Sequence, residues 1–107
     1  MMMTRDVAII IPHRDQLEHL PACLASCLAQ THPAREIVVV DDSSTIPPDE
    51  LVAHYAGRVR LIKLKNQVGP SAARNIGLAN TTSPLVQFLD ADDTIQDRKS
   101  TRLNSSH

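Results

Sequence analysis

Aromatic residues are almost absent from this sequence of 107 residues: Tyr55 and Phe88 are the only two, and there is no tryptophan. Glycine is also rare and occurs only at Gly57, Gly69 and Gly77. This spacing excludes the glycine-rich phosphate loops of dinucleotide-binding folds and P-loop NTPases. The apolar content is supplied instead by Val, Ile, Leu and Ala, which is typical of buried parallel strands and the helices that cover them.

Cysteine and metal-ligand patterns are equally sparse. Cys23 and Cys27 are the only cysteines, four residues apart in an apolar helical pattern. Because a disulfide framework or a zinc site needs more ligands at other spacings, we expect core thiols in a reducing compartment. The histidines also lack metal-ligand spacing, so we expect solvated or capping roles for His13, His19, His32 and His54.

Long apolar runs and a strong charge imbalance are missing too. The apolar run at residues 7–12 is far shorter than the roughly 20 residues of a membrane span. We therefore expect a cytoplasmic chain without a membrane segment. The formal net charge of -1 argues against nucleic acid as the main partner. The length allows one domain at most.

The hydrophobic pattern predicts seven alternating elements. Continuous or alternating apolar runs indicate strands at residues 7–12, 36–40, 59–64 and 85–89. Apolar residues at spacings of three and four, with proline near the starts, indicate helices at residues 16–31, 47–55 and 70–78. The order β-α-β-α-β-α-β predicts an α/β fold with a parallel sheet and right-handed crossovers, and leaves the strand order open.

Polar clusters follow three of the predicted strands: PHRD after the first, DDSS after the second and DADD after the fourth. Ligands of open α/β sheets bind beyond these carboxyl ends. In an extended chain Asp90 and Asp92 face the same way, and such oxygen ligands suit Mg²⁺ or Mn²⁺ completed by substrate phosphates. The alternative is that these Asp and Ser residues only terminate strands and cap helices.

Four segments, VAIIIPHRDQLEHLPACLASCLAQT, EIVVVDDSS, NQVGPSAARNIGLA and LVQFLDADD, together resemble the opening motifs of inverting family 2 glycosyltransferases. The resemblance runs over about residues 6–95. It implies the N-terminal part of the Rossmann-like nucleotide-diphospho-sugar transferase fold, GT-A, with residues 1–96 as a nucleotide-sugar-binding domain. It also implies transfer of a sugar from a nucleotide diphosphate donor, with a UDP-sugar expected, to the hydroxyl of an unknown acceptor, assisted by Mg²⁺ or Mn²⁺.

The resemblance implies a set of donor-binding positions, namely Pro12, His13, Arg14, Asp41, Asp42, Asn66, Arg74 and Asp90. In the family pattern Asp42, beside Asp41, would hold the base, and Arg74 would lie near the diphosphate. Asp92 is the stronger candidate for the metal ligand, and Asp90, the second, would lie nearer the ribose.

Two positions depart from the family pattern. Ser43 stands where glycine is usual, which costs little if its φ is negative, because only a positive φ demands glycine. Arg14 stands where an aromatic residue is common, which would change how the base is stacked. In the family pattern Asn66 begins the loop that leads to Arg74.

Residues 97–107, DRKSTRLNSSH, look unlike the rest of the chain. They resemble the translation of a common sequencing-adapter oligonucleotide, so we expect a non-native, disordered tail. The family's catalytic base is an Asp or Glu downstream of the DXD motif, so we expect no catalytic residue in this chain and no activity from it alone. Two alternatives stay open, a nucleotide-binding module without catalysis and a non-functional truncated product.

Overall fold

The computed structural model describes residues 7–29, 34–55 and 57–91. Strands and helices alternate along this part of the chain in the predicted order. The elements are β1 (Val7–His13), α1 (Leu20–Leu28), β2 (Glu36–Asp41), α2 (Asp49–Ala53), β3 (Arg60–Lys63), α3 (Pro70–Ala79) and β4 (Leu85–Phe88).

The four strands form one parallel sheet in the order β3-β2-β1-β4. The α/β class and the parallel sheet are confirmed, and the structure supplies the strand order that the sequence left open. From β1 the chain moves outward to β2 and β3, and α3 then returns it to β4 on the other side of β1. The direction of winding therefore reverses between β1 and β4, where ligands of such sheets bind.

Side chains alternate between the two faces of the sheet, as the two-residue period of a strand requires. Ile9 and Ile11 of β1 pack with the buried residues of α1 in one core cluster. Ile10 faces the other way and packs with Val38, Val40 and Ala73 of α3 in a second cluster. Helices thus cover both faces of β1 and β2. The carboxyl ends of these two strands are not covered by the helices.

Helix α3 approaches the sheet closely at Gly77. A Cβ atom built on Gly77 would lie 2.5 Å from Ile10 Cγ2 and 3.1 Å from Val40 Cγ2, closer than ordinary contact. Glycine is therefore needed here because a larger residue would clash with the sheet. Backbone conformation is not the reason, because Gly77 is not one of the glycines with positive φ. This contact holds the helix that carries Arg74 against the two central strands.

Helices α1 and α2 are shorter than their predicted ranges, whereas α3 (Pro70–Ala79) extends one residue beyond its predicted range of 70–78. Helix α1 begins at Leu20 rather than at residue 16, because Asp15 adopts φ 54° and Pro21 occupies the first turn. Helix α2 spans only Asp49–Ala53. The amino acids before each helix are used instead in turns at the carboxyl edge of the sheet.

At the opposite end of the sheet, where β2 begins, the carboxylate of Glu36 binds groups from neighbouring segments, and its side chain is only 13 % exposed. Glu36 Oε2 accepts hydrogen bonds from Ser83 Oγ at 2.7 Å and from the Thr82 N–H at 3.0 Å, and Arg60 Nη1 lies 3.2 Å from Oε1. Burial opposes the effect, but these hydrogen bonds and the Arg60 charge lower the pKa of Glu36 below its ordinary 4.5. The contacts fix the start of β4 to β2 and β3.

Strand β4 lies at the sheet edge, and Leu85 and Phe88 on it are 42 % and 44 % exposed.

No helix within the described ranges is long and apolar enough to cross a membrane. Both cysteines are buried thiols of α1, as expected. The predicted tail at residues 97–107 lies outside the described residues.

Candidate functional site

An open pocket of about 360 Å³ lies at the carboxyl ends of β1 and β2, beside the exit of β4. It occupies the crevice at which the winding of the sheet reverses. Residues from four separate segments line it, namely Pro12, His13, Arg14, Gln16, Asp42, Gln67, Pro70, Ala73, Arg74 and Asp90.

Six of the positions implied by the family resemblance meet in this pocket: Pro12, His13, Arg14, Asp42, Arg74 and Asp90. Asp41 and Asn66 are not among the described lining residues, and the neighbouring Gln67 lines the pocket instead. Asp92 lies outside the described residues. The parallel sheet therefore brings together residues that are far apart in the chain, as predicted for those that directly follow strands.

The carboxylate of Asp42 is held by two backbone amides at the entry to α3. The Val68 N–H donates to Oδ1 at 2.7 Å and the Gly69 N–H donates to Oδ2 at 2.9 Å. The Asp42 backbone N–H also donates to the His13 carbonyl at 2.8 Å, and the residue is only 4 % exposed. Asp42 thus connects β1, β2 and α3 at one point.

Asp41 turns to a different set of partners. Its Oδ1 lies 3.0 Å from His13 Nδ1 and accepts a hydrogen bond from Ser44 Oγ at 2.5 Å. His13 Nε2 accepts the Gln16 N–H at 3.2 Å, so Nδ1 carries the proton donated to Asp41. Of the two expected roles for His13, the solvated one is wrong, because the residue is 2 % exposed, whereas the hydrogen bond that it accepts from the Gln16 N–H fits the capping role. His13 thus connects β2 to the loop that precedes α1.

Hydrogen bonds of Asp15 join the loops that follow β1 and β2, and each of these loops contains one non-glycine residue with positive φ. The Asp15 N–H donates to Ser44 Oγ at 2.8 Å, and Asp15 Oδ1 accepts the Thr45 N–H at 2.7 Å. Asp15 has φ 54° and Ser43 has φ 65°. The condition under which Ser43 would cost little is therefore not met, since this left-handed conformation favours the glycine that is usual in the family.

An ion pair joins two residues that line the pocket, Arg74 of α3 and Asp90 beyond β4. Arg74 Nη2 lies 3.6 Å from Asp90 Oδ1, and both side chains are partly exposed. The Cys23 thiol donates to the Asp90 carbonyl at 3.7 Å, and the next residue, Ala91, is buried. The backbone at Asp90 and Ala91 is therefore held in place while the Asp90 carboxylate reaches the pocket.

The described residues, 7–29, 34–55 and 57–91, supply only part of a binding site for a divalent cation. No group of three His, Cys, Asp or Glu side chains in these ranges is placed to hold a metal. Asp90 supplies an exposed carboxylate, which is the donor that Mg²⁺ and Mn²⁺ prefer. The described residues thus supply one metal ligand, Asp90, of a site that substrate phosphates would complete. Asp92 lies outside the described residues.

Several pocket residues were not predicted from the sequence. Gln16, Gln67, Pro70 and Ala73 line the pocket because two loops and the first turn of α3 bring them there. Their residue types carry no chemical signal at these spacings. Only the positions of the loops directly after strands or before α3 could have indicated them.

Comparison with known proteins identifies the family. The sequence model described as glycosyl transferase family 2 matches residues 8–104. The chain belongs to glycosyl transferase family 2. Among curated relatives of this family 2 chain, the succinoglycan biosynthesis protein ExoU of Rhizobium meliloti (strain 1021) is 40% identical over 92 residues. The matched region is 82% of this chain and 26% of ExoU.

Solved structures confirm the GT-A fold class. The crystal structure of S. aureus TarS 1-349 in complex with UDP-GlcNAc is similar with a TM-score of 0.79 and 28% identity, over 92% of this chain and 29% of that one. The mannosyltransferase PcManGT from Pyrobaculum calidifontis, in complex with GDP-Man and Mn²⁺, has a TM-score of 0.78 and 26% identity, over 88% and 29%. This family 2 chain therefore spans under a third of either structure.

Proposed function

We propose that this chain is the donor-binding part of a glycosyltransferase that transfers a sugar from a nucleotide diphosphate to an acceptor hydroxyl. The observation that carries the proposal is the pocket in which Arg14, Asp42, Arg74 and Asp90 meet at the switch point of the sheet. A UDP-sugar is the expected donor, and the UDP-GlcNAc bound by the similar TarS structure supports it. The cytoplasmic location stays a prediction.

The charge around the pocket suits a diphosphate at one end. Arg74 lies in the first turns of α3, and Pro70 and Ala73 of the same helix line the pocket. A helix N-terminus carries partial positive charge, which favours an anion there. A leaving diphosphate gains negative charge as the sugar departs, so the guanidinium and the helix end would stabilise that charge in the transition state.

Asp90 and Asp92 are the proposed metal ligands. Asp90 reaches the pocket as a partly exposed carboxylate, and the Mn²⁺ bound by the similar PcManGT structure supports a divalent cation. When bound, Mg²⁺ or Mn²⁺ would offset negative charge on the diphosphate. Asp90 is paired with Arg74 in the structure. Binding of the diphosphate by Arg74 and of the cation by Asp90 would therefore weaken or break this ion pair.

The base that accepts the proton of the acceptor hydroxyl is proposed to come from outside the described residues. The two carboxylates that line the pocket already have partners, since Asp42 accepts two backbone amides and Asp90 is paired with Arg74. A general base must reach the proton that it removes, and these contacts give neither carboxylate that task. Because the family resemblance implies a base downstream of the DXD motif, we infer that the chain alone binds a donor without transferring its sugar.

Calorimetric titration of the chain with UDP, with and without Mn²⁺, tests the proposal. We expect saturable UDP binding that Mn²⁺ strengthens, and weaker Mn²⁺ dependence in Asp92→Asn and Asp90→Asn. Asp49→Asn, which removes the same charge from an exposed pair with Lys63 outside the pocket, is the control. Equal Mn²⁺ dependence in Asp92→Asn and the unmodified chain would refute the metal assignment. Absence of UDP binding would refute the function.

A further inference from the structure

We propose that His13 is a positioning residue that holds Gln16 at the pocket, where the Gln16 side chain contacts the donor. The inference rests on the proposed function, because it needs a donor in that pocket. Both residues lie at the pocket, but the His13 side chain is 0 % exposed. The His13 imidazole can therefore act on a bound donor only through its neighbours.

Both imidazole nitrogens of His13 are engaged within the protein. Nε2 accepts the Gln16 backbone N–H at 3.2 Å, and Nδ1 lies 3.0 Å from Asp41 Oδ1. In a neutral imidazole the nitrogen that accepts a hydrogen bond carries no proton, so the other nitrogen donates to the carboxylate. Asp41 thus selects the tautomer in which Nε2 is free to accept the Gln16 N–H.

Gln16 is held through both of its backbone polar groups. Its N–H donates to His13, and its carbonyl accepts the N–H groups of His19 and Leu20, each at 3.0 Å, at the start of α1. The preceding residue, Asp15, has φ 54°, a conformation that is costly for a residue with a Cβ atom. The loop therefore depends on its hydrogen bonds, and loss of the bond to His13 would let Gln16 move away from the pocket.

The side chain of Gln16 has the chemistry for a contact with the donor. Gln16 lines the same pocket as Asp42 and Arg14. Its amide group offers two N–H donors and one carbonyl acceptor. Such a group can form hydrogen bonds with the carbonyl and hydroxyl groups of a nucleotide without adding charge to the pocket.

Two substitutions of His13 divide its two hydrogen bonds. Asn places an amide nitrogen near the Nδ1 position, so it keeps the bond to Asp41 and loses the acceptor for the Gln16 N–H. Gln places an amide oxygen near the Nε2 position, so it keeps the acceptor and loses the bond to Asp41. We expect UDP affinity to fall about fivefold, equivalent to about 1 kcal/mol, in His13→Asn and less than about twofold in His13→Gln.

Stability should change in the opposite order. The urea midpoint should fall further in His13→Gln than in His13→Asn, because the buried Asp41 carboxylate then loses a partner. A merely structural role of His13 predicts instead that UDP affinity follows stability. UDP affinity is measured by amide chemical-shift titration without urea. A larger loss of UDP affinity in His13→Gln than in His13→Asn would overturn the inference.

The matched controls are His54→Asn and His54→Gln. His54 is exposed and is not among the described residues that line the pocket. Both variants should change UDP affinity by less than about twofold, since a distant site acts independently.

Gln16→Ala tests the route from His13 to the donor. It removes the side chain from the pocket and keeps the backbone N–H that His13 accepts. UDP affinity should fall about fivefold with little change in the urea midpoint. In the Gln16→Ala background, His13→Asn should lower UDP affinity by less than about a further twofold. Full UDP affinity in Gln16→Ala, or additive losses in the double variant, would overturn the inference.

Two readouts without nucleotide keep the inference distinct from the proposed function. The imidazole ¹⁵N signals of His13 should show a proton on Nδ1 and none on Nε2. The Gln16 amide hydrogen should exchange at least about tenfold faster in His13→Asn than in the unmodified chain or in His13→Gln. If UDP does not bind the unmodified chain, the proposed function is wrong and the exchange result alone decides the positioning. A proton on Nε2, or equal Gln16 exchange in all three chains, would overturn it.

Discussion

Replacement of Gly77 by alanine tests the packing that holds α3 on the sheet. The new Cβ would lie 2.5 Å from Ile10 Cγ2 and 3.1 Å from Val40 Cγ2. Overpacking of a close-packed core costs about 1–3 kcal/mol, and the short distance to a β-branched side chain places the cost at the upper end. The higher helix propensity of alanine returns about 1 kcal/mol. We therefore expect Gly77→Ala to lower the free energy of unfolding by about 2 kcal/mol.

The assay is urea denaturation followed by circular dichroism, with the midpoint and slope compared between variants. Asn75→Ala, an exposed position of α3, is the control and should be neutral or stabilising. Ile10→Leu removes the γ-methyl that the new Cβ would meet while keeping the side-chain volume. Gly77→Ala should therefore cost at least about 1 kcal/mol less in that background. An unchanged midpoint in Gly77→Ala, or the same cost in both backgrounds, would refute the packing argument.

Three further predictions concern residues around the sheet. Ser43→Gly should raise the free energy of unfolding by about 0.5 kcal/mol, because φ is 65° and the side chain gives up only a long, exposed 3.5 Å hydrogen bond to the Lys65 carbonyl, whereas Asp15→Gly, at φ 54°, should not, because it loses the 2.7 Å hydrogen bond from the Thr45 N–H; equal changes in urea midpoint would contradict this. Burial opposes the effect, but hydrogen bonds to its carboxylate lower the pKa of Glu36, so its stabilisation is present above its ordinary 4.5 and lost as pH falls through the folded pKa. Glu36→Gln should flatten that acid loss of stability, and an unaltered pH dependence would argue against it. His13→Val should destabilise the fold by about 3 kcal/mol, because the buried Asp41 carboxylate loses its imidazole partner, and a loss below about 1 kcal/mol would show that the pair is unimportant.

Element order was predictable because each apolar run, whether continuous or alternating, is bounded by polar or proline residues. The sheet order was not, since it depends on α3 crossing back over β2 and β1, which no local pattern records. The start of α1 was also missed, because the positive φ of Asp15 depends on hydrogen bonds to Ser44 and Thr45, thirty residues away in the loop after β2.

The candidate site, like the fold, was predictable from the sequence only in part. Asp42 and Asp90 were predicted because charged residues directly after strands meet at one sheet edge, whereas Arg74 was implied by the family resemblance; all three line the pocket. The sequence could not separate the roles of Asp41 and Asp42. They are neighbours of the same type, but one carboxylate turns to His13 and the other to the backbone before α3. That difference arises from the alternation of side chains at the end of β2 and from contacts made far along the chain.

The most direct test of the donor-binding account is to map UDP onto the chain by backbone amide chemical shifts. The account predicts saturable shifts at Arg14, Asp42, Ala73 and Arg74, and their loss in Arg74→Gln. Absence of shifts at millimolar UDP, or shifts centred on the opposite edge around Glu36, would contradict it.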